Sequence, residues 1–112
     1  MNDPKLSLRL HFESLTFGRG KADMLQGIAE LGSISAAGRR LGMSYRRAWA
    51  LVEEMNANFK APLVESSRGG AGGGGASLTD LGRQALAEYR GLEDLLRRAP
   101  HLARLGDMLQ KK

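Results

Sequence analysis

The stretch that decides the fold runs from Gly32 to Thr79 and reads GSISAAGRRLGMSYRRAWALVEEMN over 32–56, then PLVESSRGGAGGGGASLT over 62–79. It sets out two helices around a turn, then a glycine-rich hairpin and the start of a further helix. The small residues Ala36, Ala37 and Gly38 let one helix approach another closely, Gly42 stands where the chain must turn, and Ser44 is suited to cap the helix that follows. That second helix opens with Tyr45, Arg46 and Arg47. A basic helix start beside a basic hairpin suits a nucleic-acid groove.

A rotation of about 100° per residue puts Ala48, Val52, Met55 and Phe59 on one apolar stripe of this helix, with Arg46 and Ala50 opposite and Arg47 to one side. Glu53 and Glu54 also leave the core, but further along. The exposed face is therefore basic where it begins and acidic later, so only the first two turns are fit to meet phosphates. Pro62 blocks continuation, and Leu63 to Glu65 reads as a short strand. Six glycines then lie between Gly69 and Gly75, interrupted by Ala71 and preceded by Arg68. No Gly-Lys-Ser or Gly-Lys-Thr follows, which argues against a nucleotide-binding P-loop. Such a tip, Gly72 and Gly73 included, can bring bare backbone N–H groups against a phosphate chain. The alternative is a loop that contacts nothing.

Outside this stretch, Lys5 to Glu13 alternates strictly, with Leu6, Leu8, Leu10 and Phe12 on one side, and reads as a half-buried strand broken by Gly18 and Gly20. Met24, Leu25, Ile28 and Leu31 recur at helical spacing, giving a first helix over about 21–31 with Gly32 as its C-cap. The next, over about 35–41, buries Ile34, Ala37 and Leu41, offers Ser33 or Ser35 as cap, and leaves Arg39 and Arg40 outside. Thr79 and Asp80 start a long helix over about 79–99, in which Leu78, Gly82, Ala85, Tyr89, Leu92, Leu96 and Ala99 form a four-three seam. It is longer than a small domain needs to close its own core, so a dimer contact is expected there. Beyond Pro100, Leu102, Leu105, Met108 and Leu109 suit one more short amphipathic helix, giving a domain over 1–99 and a tail over 100–112.

The 112 residues suffice for one compact domain, and a net charge of +5 with a pI near 10.1 favours an anionic partner. Cysteine is absent, so a disulfide framework and a thiolate metal site are both excluded. The amino terminus lacks the apolar core of a signal peptide, and no run approaches the ~20 apolar residues of a membrane span. A cytoplasmic protein without membrane contact is expected. His11 and His101 stand apart from any metal-ligand spacing, and the serines lack a recognisable base, so an enzyme is not expected.

The order of strand, three helices, hairpin and helix is that of a winged helix-turn-helix, mainly α with a small β wing (α+β), and here the residues resemble a known family. GSISAAGRRLGMSYRRAW, followed by EMN, LVE, GGAGGGG and LTDLG, is similar to the amino-terminal DNA-binding domain of the ModE family of molybdate-responsive transcriptional regulators, itself similar to the LysR-type winged helix. The resemblance covers about residues 25–89. It implies a homodimeric, sequence-specific regulator that sets the helix after Ser44 in the major groove of duplex DNA and the wing along the backbone. Members that sense molybdate carry carboxy-terminal oxyanion-binding domains, whereas this chain stops soon after the long helix, so no cofactor and in particular no molybdate is expected. The small-molecule effector is not disclosed.

Within that frame Arg46 and Arg47 are the first candidates for DNA contact, because a guanidinium pairs in bidentate fashion with guanine or grips phosphate. Isolated arginines are more often solvated surface; position in the first turn carries the assignment. Ser44 and Tyr45 are candidate donors to phosphate or base edges, Trp49 divides between core and approach surface, and Arg39, Arg40 and Arg68 are candidate backbone contacts. Two other roles remain open: a protein-interaction module using the acidic half of the helix and the apolar tail, and a non-specific nucleoid-type DNA binder.

Overall fold

The computed structural model describes residues 4–67 and 75–110. Its elements run β1 (Arg9–His11), β2 (Thr16–Gly18), α1 (Arg19–Leu31), α2 (Ile34–Arg40), α3 (Tyr45–Asn58), β3 (Val64–Ser67), β4 (Gly75–Leu78), α4 (Asp80–Arg98) and α5 (Pro100–Asp107). The fold is an α+β winged helix-turn-helix in which α1, α2 and α3 pack together and the β3–β4 hairpin precedes the long α4.

Side chains that are missing set the helix crossings. A Cβ on Gly27 of α1 would stand 2.8 Å from the Cβ of Ala37 on α2, and one on Gly38 would stand 2.8 Å from the Cβ of Ala48 on α3. These helices therefore meet nearly backbone to backbone, as the small residues of α2 foretold. Met24, Leu25, Ile28, Val52, Met55 and Leu63 fill the core around them. The turns also follow the sequence: Gly32 (φ 71°) and Gly42 (φ 72°) take left-handed conformations that favour glycine. Ser33, Ser44 and Thr79 cap α2, α3 and α4, accepting from the backbone N–H of Ala36, Arg47 and Gly82.

Several boundaries differ from the sequence reading. The expected strand over 5–13 shrinks to three residues, because its partner β2 is itself only three long; Leu10 pairs with Phe17, and Phe12 turns back through its N–H to the Leu15 carbonyl. Gly18 does not break this strand but belongs to β2, opposite Arg9, and α1 begins at Arg19 with Gly20 inside it. α2 starts at Ile34, one residue earlier, since Ser33 rather than Ser35 is the cap. β3 begins at Val64 and runs to Ser67, paired with Gly75 of β4.

The seam of α4 is only half used. Gly82 and Tyr89 are buried, and Tyr89 donates its hydroxyl proton to the Leu8 carbonyl at 2.6 Å. Burial, and then the nearby Glu93 carboxylate, push the Tyr89 phenol above its usual range. Beyond this point Leu92 and Leu95 are exposed. Between them lies a feature the periodicity did not reveal, the carboxylate of Glu93, whose residue is only 3% exposed. Arg90 bonds to it at 3.1 Å and to Asp23 of α1 at 2.9 Å, while Arg97 approaches at 3.9 Å. Burial alone would ease the proton off Arg90, but its bonds to Asp23 and Glu93 outweigh that and hold its pKa up.

Arg90 thus joins α4 to α1 through charge. Arg90→Met leaves the Glu93 carboxylate buried without its nearer cation and is expected to lower stability by about 3 kcal/mol. Adding Glu93→Leu is expected to restore most of the loss. Urea unfolding of both variants measures this, and a double variant as unstable as the single one would show that the uncompensated carboxylate is not the cause.

Candidate nucleic-acid interface

The face built by α2 and α3 begins with the Ser44 cap. By accepting the Arg47 N–H at 3.1 Å, its hydroxyl fixes where the first turn of α3 starts and so which residues project from it. Tyr45, Arg46 and Arg47 are all exposed there, while Ala48, Val52 and Met55 hold the opposite face in the core. Among the described residues neither Arg46 nor Arg47 pairs with a carboxylate, so both guanidinium groups keep their donors for a ligand.

Trp49 is half-buried, as its place beside the apolar stripe suggested. Its ring meets that of Tyr45 edge-on, with centroids 6.0 Å apart. This contact holds the exposed Tyr45 ring against the helix at little further entropic cost, since a packed aromatic has few rotamers left to lose. The indole N–H of Trp49 is buried and finds no acceptor among the described residues.

The two arginines of α2 stand differently. Arg39 is exposed and donates to the Ser35 hydroxyl at 3.1 Å, a neutral tether that leaves its charge uncompensated. Arg40 is exposed but pairs with Glu30 of α1 at 2.8 Å. Hydrogen bonds from Gln26 and then Arg40 hold the Glu30 carboxyl below its usual range. Arg40 thus has a partner within the fold that a phosphate must compete with. The sequence pattern treats the two arginines alike, and only the approach of α1 separates them.

One carboxylate of the acidic half of α3 is engaged by a contact the sequence did not signal: Glu54 pairs with Lys21 of α1 at 3.3 Å, the lysine side chain being 12% exposed. That cation offsets part of the repulsion Glu54 would exert on a phosphate chain. Arg68, Gly72 and Gly73 lie outside the described residues.

The stem of the wing is anchored by Asn56, another residue not singled out by type. Its side-chain oxygen accepts from the N–H of Leu63 at 2.8 Å and of Val64 at 3.1 Å, and its NH₂ donates to the Val64 carbonyl at 3.1 Å. One amide therefore fastens the last turn of α3 to the first strand of the hairpin. On the other strand, the Ala76 N–H donates to the Gly32 carbonyl at 2.9 Å. The Thr79 N–H and hydroxyl donate to the carbonyls of Leu63 and Pro62, and Gly82 lies so close to the Leu63 carbonyl that no Cβ fits. Among the described residues no group of histidine, aspartate and glutamate could hold a metal ion, and no helix is long and apolar enough to cross a membrane.

Residues 22–83 match the model of the bacterial regulatory helix-turn-helix proteins of the lysR family. The chain is also 43% identical over 76 residues to the molybdenum-pterin-binding protein MopB of Rhodobacter capsulatus, covering 68% of this chain and 28% of that protein. It is 43% identical over 70 residues to the molybdenum transport protein ModE of Azotobacter vinelandii, covering 62% and 26%. To the DNA-binding transcriptional dual regulator ModE of Escherichia coli K12 it is 39% identical over 79 residues, covering 70% and 30%. The matched segment spans under a third of each of these relatives.

Removing the anchor of the wing tests its part in the face. Asn56→Ala leaves two backbone N–H groups and one carbonyl without their partner, and is expected to lower stability by about 1–3 kcal/mol. Amide hydrogen exchange is expected to accelerate at Leu63 and Val64 more than in α1. Uniform acceleration across the chain would show that Asn56 supports the whole fold rather than the stem.

Proposed function

The chain belongs to the lysR family of bacterial regulatory helix-turn-helix proteins, and from that membership we propose that it is a DNA-binding transcriptional regulator. In this reading it binds duplex DNA sequence-specifically as a homodimer, with α3 in the major groove, the glycine-rich tip along the backbone and α4 joining the two copies. The observation that carries the reading is the first turn of α3, where Arg46 and Arg47 stand exposed, without carboxylate partners among the described residues, on a helix whose other face is core. A guanidinium held there can reach the O6 and N7 of guanine, as recognition helices do with their amino-terminal residues. Similarity to relatives named as transcriptional regulators supports the same role.

In this reading Tyr45 and Ser44 add contacts to phosphate or base edges, and Arg39 grips the backbone from α2. Arg40 contributes less, because its pairing with Glu30 already satisfies it in part. Such a regulator works in the cytoplasm and needs no catalytic group and no cofactor. Molybdenum, which the names of two of the three relatives described above carry, is not part of the proposal.

Mobility shift of a palindromic duplex at two salt concentrations, with random DNA as competitor, tests the reading. Arg46→Ala is expected to weaken binding to the operator by about 1–3 kcal/mol and to relax discrimination at one base position. Arg39→Ala is expected to leave discrimination unchanged and to flatten the slope of log affinity against log salt by about 0.9. Wild-type binding that random DNA removes completely would replace specific regulation with a non-specific, nucleoid-type role.

A further inference from the structure

The proposed dimer leaves two complementary features of one chain unmatched. The first is an apolar groove of about 320 Å³, walled by Leu10, Phe12, Phe59, Ala85 and Leu92 and rimmed by Glu88. Phe12 at its edge is 61% exposed, an unfavourable place for an aromatic ring in water. The second is α5 with the two residues that follow it: the helix buries none of its own residues, and Leu105 (62%), Met108 (77%) and Leu109 (70%) are exposed.

We propose that the groove is the seat of α5 from a second copy, so that the two protomers clasp each other reciprocally. The inference rests on the homodimer proposed above and adds what fills the groove. Register argues for it. Leu95, 65% exposed, is the most exposed leucine of α4 and the natural centre of a helix pair. When two α4 helices pack antiparallel about a twofold axis at Leu95, positions equally far before and after it face each other as far as the helix runs. The partner's α4 then ends, at its Arg98, opposite Leu92 on the wall of the groove, and its α5 starts beside Ala85 and Glu88. The break at Ala99 (ψ 130°) lets α5 leave the axis of α4 and turn inward.

Charge agrees with the register. The rim of the groove offers Glu88, and the approaching helix carries Arg104. Size agrees as well. Leu92, Leu95 and Leu96 alone fall well short of the roughly 800 Å² per partner that a stable interface buries. Seating α5 and the two residues after it in the groove adds Leu105, Met108 and Leu109 and covers Phe12, twice over by symmetry.

The chain has no cysteine, so single thiols can be introduced without background. One preparation carries Gln84→Cys in the groove, the other Leu105→Cys in α5, and the two are mixed and treated with a short bis-maleimide. The proposal expects a covalent dimer from the mixture and little from either variant alone. Sedimentation of the Leu105→Asp, Met108→Asp double variant is expected to show a dimer dissociation constant raised by more than about tenfold, with helix content unchanged. A wild-type dimer that yields no mixed cross-link overturns the seating of α5 while leaving the homodimer intact. So does a chain bearing both thiols that links within itself, which would show α5 folding into its own groove. A protein that sediments as a monomer removes the homodimer and the clasp together.

Discussion

Two near-contacts between backbones govern the rest of this molecule: Gly27 against Ala37, and Gly38 against Ala48. Helices with large side chains at their crossings are held about 8–10 Å apart, and their angle follows how ridges fit grooves. Here the bulk is removed, so α2 is drawn against α1 on one side and α3 on the other. The tilt of α3 follows from that approach. Any side chain at Gly27 or Gly38, or one larger than alanine at Ala37 or Ala48, would force these helices apart and shift α3 with its first turn. The same close approach brings α1 within reach of Arg40 and Glu54, so Glu30 and Lys21 can hold them.

Charge is distributed so that α1 edits the surface of its neighbours. Lys21 draws the Glu54 carboxylate toward the body, and Glu30 partly neutralises Arg40. On α2 and α3, what remains without a carboxylate partner among the described residues is Arg39 together with Arg46 and Arg47. A net charge of +5 says only that an anion is welcome. These ion pairs say which part of the surface is left to receive it.

Much of the fold was legible because its turns are written in residues with one conformational use. Gly32, Gly42, Ser44 and Thr79 fix boundaries by positive φ or by capping, both local effects. Small residues at Ala37 and Gly38 likewise advertise a close crossing. The β1–β2 pair was less legible, since alternation predicts a strand but says nothing of how long its partner is. Asn56 and Glu93 mark a different limit. An asparagine late in a helix and a glutamate in a charged run have many uses, and only the neighbours brought by folding select one. In the candidate interface the sequence therefore identified Ser44, Tyr45, Arg46 and Arg47 as exposed or capping residues, but did not separate Arg39 from Arg40.

The Arg90 guanidinium, held between Asp23 and Glu93, fixes the direction in which α4 leaves the body. In a dimer joined through the far end of that helix, α4 acts as a lever whose fulcrum is this cation. With a rise of about 1.5 Å per residue, a few degrees of rotation at the fulcrum become ångströms of displacement at the twofold axis. The two recognition helices would then shift in phase along the double helix, away from the one-turn separation that matches successive major grooves. In such a dimer one buried carboxylate and its arginine would bear on the spacing of operator half-sites without touching a base.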